Sequence, residues 1–145
     1  MYERVLVVLE PGGNKRLLPW LRRVLGGRPA DLHLLSVQPF RGGVMVGRHR
    51  VAYAHQVEEA VRAEILVRLS VAAARFTDEG FRVATDVRFG RPIATVLRTA
   101  AELQASLIVL AAQERRWWAK SVDDEILRRA AVPVLTVPRP AQRAA

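Results

Sequence analysis

The chain has 145 residues, 50% of them apolar and 26% charged, the proportions of one globular domain rather than of a disordered chain. It contains no cysteine, which removes disulfides, thiolate metal centres, iron–sulfur clusters and thiol catalysis. With 23 basic residues against 14 acidic ones the net charge is +9, no apolar run approaches the ~20 residues of a membrane span, and Met1-Tyr2-Glu3-Arg4 lacks the layout of a secretory signal.

These features lead to the expectation of a cytoplasmic protein with no membrane partner. Lys15 and Lys120 are the only lysines, so arginine supplies nearly all the positive charge. The basic residues spread from Arg4 to Arg143 in runs no longer than two, which reads as composition rather than as a built patch. Any contact with nucleic acid is therefore expected to be weak, non-specific and salt-sensitive.

Val5-Leu6-Val7-Val8-Leu9 is a continuous apolar run closed by Glu10-Pro11-Gly12-Gly13, the pattern of a strand buried on both faces and followed by a turn. Leu17, Trp20, Leu21, Val24 and Leu25 then fall at helical spacing until Gly26-Gly27, with the regular helix starting near Leu18 because of Pro19. A second strand is expected over Leu32–Val37, and a loop from Gln38 to Arg50, where Pro39, Gly42, Gly43 and Gly47 cluster. The longest helix is expected from about Val51 to Phe76. Its buried stripe is Val57, Val61, Ile65, Leu69, Ala72 and Phe76, and Glu58/Arg62 and Glu64/Arg68 are i,i+4 ion pairs on its wet side.

Phe81 to Arg88 alternates with enough polar residues to mark an edge strand. Pro92 opens the next helix, whose buried stripe is Ile93, Val96, Leu97, Ala100 and Leu103. Ser106 to Ala111 is apolar throughout after its serine and reads as a central strand. Ser121-Val122-Asp123-Asp124 fits a capping box and starts the last helix, which ends near Ala131. Val132 to Val137 forms the fifth strand, before Pro138-Arg139-Pro140. Five strands alternating with four helices require an open, mostly parallel sheet with helices on both faces, an α/β sandwich. One domain over residues 1–138 and a frayed tail over 139–145 complete the layout.

The chemistry inventory nominates no catalytic residue and no metal site. His33 lies in a strand, and His49 and His55 flank the start of the long helix without ligand spacing. No GxSxG, HExxH, GxGxxG or GxxxxGK[ST] occurs. Gly12-Gly13-Asn14-Lys15 lacks the spacing of a phosphate loop and reads as a plain turn. Glu58-Glu59 is a solvated helix face, and Asp123-Asp124-Glu125 complements a helix N-terminus.

The alternation, the length and four segments resemble the universal stress protein family. They are Val5 to Glu10, Leu32 to Pro39, Val87-Arg88-Phe89-Gly90-Arg91-Pro92, and Ala105 to Leu110 joined to Ser121-Val122 and to Ala131–Val137. The resemblance implies a Rossmann-like sandwich of the adenine nucleotide alpha hydrolase type with strand order 3-2-1-4-5. It also implies a stress-response or regulatory protein without catalysis, and a homodimer in which the last strand pairs antiparallel across a two-fold axis through Val132, Val134, Leu135, Thr136 and Val137.

Nucleotide-binding members carry G-x2-G-x9-G-[ST] after the fourth strand. Here Ala111 and Glu114 stand at the first two glycine positions, Lys120 and Ser121 at the last Gly-Ser, and the loop is short by about four residues. The resemblance maps Glu10, Val37, Ala111, Ser121 and Val122 onto the family's adenine, ribose and phosphate contacts. This implies a degenerate site with no cofactor. In an alternative reading, Arg115, Arg116, Lys120 and Ser121 recruit ATP, AMP or another small anion through side chains. Trp117 and Trp118 stand beside those arginines, and as neighbours in sequence they cannot both face the same way.

Overall fold

The computed structural model describes residues 3–12, 16–40, 42–111 and 118–137. Its elements in chain order are β1 (Arg4–Val8), α1 (Leu17–Leu25), β2 (Asp31–Gln38), β3 (Val44–Val46), β4 (His49–Ala52), α2 (Ala54–Asp78), β5 (Arg82–Phe89), α3 (Pro92–Leu103), β6 (Leu107–Ala111), α4 (Lys120–Arg129) and β7 (Val134–Val137).

Five strands form one parallel sheet in the order β5-β2-β1-β6-β7. This is the expected 3-2-1-4-5 order once the two hairpin strands enter the count. The central strand β1 is buried on both sides because its alternate residues feed two cores. Val5, Val7 and Leu9 meet α1 and α2 through Leu17, Leu21, Ile65 and Leu69. Leu6 and Val8 meet the α3–α4 side through Val96, Ala100 and Ile126. The expected stripes on α1 and α3 lie on these faces, as does that on α2 from Val61 to Phe76, with Val57 outside both cores, and Pro92 occupies the first helical position of α3.

Several local expectations are corrected. The loop expected over Gln38–Arg50 contains an antiparallel hairpin, Val46 pairing with His49 across Gly47-Arg48. Gly47 has φ +60 and Arg48 has no positive φ, the pattern of a two-residue type II′ turn, and the long helix starts at Ala54 rather than Val51. At the hairpin's base a Cβ on Gly43 would stand 2.6 Å from the Ala52 carbonyl oxygen, so only glycine fits the approach of the two strands. Neither expected i,i+4 pair on α2 forms. Arg62 instead donates to the Val87 carbonyl and lies over the Phe89 ring, 5.3 Å from its centre, which ties α2 to β5. The last strand begins at Val134, leaving Val132 before it.

The edge position expected for β5 holds, and its polar side carries a charge chain. His33 on β2 faces Asp86 at 3.6 Å, Asp86 accepts from Arg88 at 2.9 Å, and Arg88 reaches Glu102 of α3 at 2.8 Å. The His33 imidazole, and after it the Arg88 guanidinium, hold the Asp86 carboxyl down at about 2, against the opposing effect of burial.

A depressed carboxyl adds stability that is complete above its ordinary pKa of 3.8 and is lost as the pH falls through the folded value. The shift corresponds to about 2 kcal/mol, and exposure to water reduces this to about 1 kcal/mol. Asp86→Asn is therefore expected to be about 1 kcal/mol less stable than the parent at pH 7, with the difference closing between roughly pH 4 and pH 2. Urea midpoints at several pH values measure it, and a pH-independent difference would contradict the assignment.

Candidate functional site

Strand order reverses between β1 and β6, whose chains leave the sheet in opposite lateral directions, and a crevice at their carboxyl ends is the place where open α/β sheets bind ligands. The register Val5↔Leu107 to Val8↔Leu110 brings the ends of both strands to one level. On the adjoining strand, the Leu9 N–H donates to the Leu35 carbonyl at 3.1 Å, and β2 runs on past the end of β1 to Gln38.

Of the residues expected at the site, Glu10 is half-buried just past β1, Val37 is buried near the end of β2, and Ala111 is buried at the end of β6. These three end neighbouring strands. Lys120 and Ser121 are exposed in the first turn of α4, and Val122 is half-buried against the α3–α4 core. Glu114, Arg115 and Arg116, together with Trp117, lie outside the described residues.

The capping expectation is corrected here. Ala119, not Ser121, precedes α4, and no side chain caps it. Asp123 is instead engaged by tertiary structure. The Trp118 indole N–H donates to its carboxylate at 2.8 Å, while burial pushes the Asp123 carboxyl up. Trp118 itself is 5% exposed and belongs to the same core cluster as Val8, Val37, Leu110 and Ile126. That Trp117 and Trp118 cannot face the same way was legible in the sequence. The hydrogen bond from Trp118 to a residue five positions on was not, since nothing in the spacing marks an indole–carboxylate pair.

Two hollows frame the sheet. One of about 400 Å³ lies beside the turn after β1, between Leu9, Pro11 and Gly12, the first turn of α1, and Arg68, Val71, Ala72, Arg75 and Phe76 of α2. The other, about 500 Å³, lies at the opposite end of the strands, among Arg4, Asp31, His33, Arg82 and Glu102. The larger one is far from the strand-order reversal and its charges are largely matched within it, so its size does not make it the functional site. Among the described residues no group of three or more histidines and carboxylates is placed to hold a metal ion. No described helix is long and apolar enough to cross a membrane.

No curated protein matches the chain. Solved structures do. A hypothetical protein studied as a test case of structural genomics aligns at 16% identity with a TM-score of 0.71, over 98% of this chain and 99% of its own. A protein of the universal stress protein family from Burkholderia pseudomallei aligns at 25% identity and 0.65, over 94% and 96%. A family member from Arabidopsis thaliana, solved with AMP bound, aligns at 15% identity and 0.65, over 96% and 93%. The model of the universal stress protein family matches residues 1–138, which takes in every strand and helix described above. With its sheet order, its crevice and this match over nearly its whole length, the chain belongs to the universal stress protein family.

Proposed function

We propose that this chain is a non-catalytic regulatory protein of the universal stress type, cytoplasmic and dimeric, whose crevice does not take ATP. The observation that carries this reading is Trp118. Its indole is buried in the core cluster that includes Val8, Val37 and Leu110, with its N–H committed to Asp123, at the sheet end where the family's phosphate loop would run. The sequence adds Ala111 and Glu114 at glycine positions. A Cβ there hinders close backbone approach to phosphates, and a carboxylate repels them.

The test is a titration with Mg-ATP, read by tryptophan fluorescence and melting temperature. Both are expected to stay unchanged at roughly millimolar ligand, whereas a ligand at 100 times its dissociation constant adds about 2.7 kcal/mol. A melting shift that disappears in Ser121→Trp would overturn the reading.

A second reading has its own support. Solved relatives of this fold are described in complex with AMP, cAMP and dAMP. Lys120 and Ser121 stand exposed in the first turn of a helix, where an anion is favoured. In that reading Arg115, Arg116, Lys120 and Ser121 hold a small anion such as a nucleoside monophosphate. AMP and cAMP titrated in parallel with ATP separate the two readings, since a shift with the monophosphates alone selects the second.

A further inference from the structure

Between Asp31 and Glu58 the sequence holds no acidic residue. The middle of that interval is the β3–β4 hairpin, which follows β2 and so stands at the carboxyl end of the sheet. Met45, Val46, His49 and Arg50 of the hairpin belong to neither core. Phe40 is 71% exposed, Met45 51%, Val46 63% and Tyr53 53%, four of the seven large apolar side chains that stand out in water among the described residues. An isolated two-stranded hairpin is marginal in water, and here Met45 and Val46 stand outward.

Flat groups gather at its root. The Arg50 guanidinium lies 5.1 Å from the centre of the Tyr53 ring, and the His55 ring is stacked on Tyr53 at 5.9 Å with 24° between the planes. Neither Arg48 nor Arg50 has an ion-pair partner among the described residues.

We propose that this hairpin and the start of α2 form a landing site for single-stranded nucleic acid, bound without sequence preference. Unpaired guanidiniums supply the contact to phosphates, and the Arg50–Tyr53–His55 stack supplies π surface on which bases stack whatever their identity. The geometry favours a polynucleotide over a lipid surface because the exposed flat groups are held face to face, Arg50 over Tyr53 and His55 stacked on it, the arrangement on which bases stack. The net charge of +9 draws the strand in, and the hairpin is where it settles.

The test measures fluorescence anisotropy of labelled single-stranded 12-mers, DNA and RNA of mixed sequence, against rising salt. Three variants are compared with the parent: Tyr53→Ala, the double Arg48→Ala/Arg50→Ala, and Arg28→Ala/Arg129→Ala. The last removes the same charge from exposed positions at the opposite end of the sheet. The parent is expected to bind with a dissociation constant on the order of 10⁻⁵ M at low salt. Tyr53→Ala is expected to weaken binding about 5- to 10-fold. The hairpin double variant is expected to flatten the slope of log affinity on log salt by about 1.4, or about 0.7 for each lost phosphate contact, with the opposite-end variant near the parent.

All substituted positions are exposed, and melting curves confirm that the variants are folded. Equal losses in the two double variants would overturn the proposal in favour of diffuse charge, as would parent-like affinity in Tyr53→Ala. No binding by the parent overturns it outright. Sedimentation with phosphatidylserine vesicles that oligonucleotide does not compete away would assign the hairpin to lipid and likewise overturn it.

Discussion

Replacement of Trp118 by alanine is expected to lower folding stability by about 3–5 kcal/mol, the cost of emptying a large aromatic site that the surrounding core refills only in part. The indole is 5% exposed and its neighbours come from β1, β2, β6 and α4, elements fixed by the sheet itself. Their freedom to collapse into the vacated space is small.

The substitution has a second consequence at Asp123. Its carboxyl is pushed up by burial and pulled down by the Trp118 N–H, so loss of that donor raises it further. A carboxyl raised on folding makes stability fall as the pH rises through its folded pKa. The penalty in Trp118→Ala is therefore expected to be larger at pH 7 than near pH 4.5. Trp118→Phe keeps much of the packing and loses the hydrogen bond, with an expected cost of about 1–2 kcal/mol. Urea unfolding followed by circular dichroism measures all three. A loss below about 1 kcal/mol in the alanine variant would mean that the indole is not part of the core.

Light scattering at tens of micromolar is expected to give twice the 16.2 kDa mass of the chain, because the two edges of the sheet are treated so differently. On β5 the edge carries Arg82, Asp86 and Arg88, charges that discourage another strand from pairing. On β7 the sequence Val134-Leu135-Thr136-Val137 has no charge at all, and the strand has β6 on one side and no described strand on the other.

The burial pattern narrows how such a pairing works. Val137 is spent on the core shared with α1 and α2, and Val134 packs against the opposite core. The backbone would carry the pairing, with Leu135 half-buried and Thr136 exposed beside it, while Val132 lies outside the strand. Thr136→Lys puts on this edge the residue that natural edges use to prevent pairing and is expected to give a monomer with an unchanged fold. A 16.2 kDa species from the parent chain at the same concentration would remove β7 as an interface.

The layers of the fold were written plainly in the amino-acid order. Val5–Leu9 and Leu107–Leu110 are apolar without interruption because both faces of those strands are buried, and the polar alternation of Arg82–Arg88 places β5 at the edge for the opposite reason. The stripes of α1, α2 and α3 are local patterns repeated over several turns, so they are legible without knowledge of any partner.

Features that leave no periodic pattern in the sequence were settled in three dimensions. The β3–β4 hairpin leaves Met45, Val46, His49 and Arg50 exposed, so no buried periodicity marks these positions, and its trace was the two-residue Gly47-Arg48 spacing between short β-forming runs. Arg62 leaves its expected helical partner Glu58 for the Val87 carbonyl, 25 residues away. Asp123, expected only as negative charge at a helix N-terminus, is taken by the indole of Trp118, just before α4. The last two outcomes rest on a polar group meeting its partner only once the elements have packed, and such a meeting leaves no spacing in the chain from which to read it.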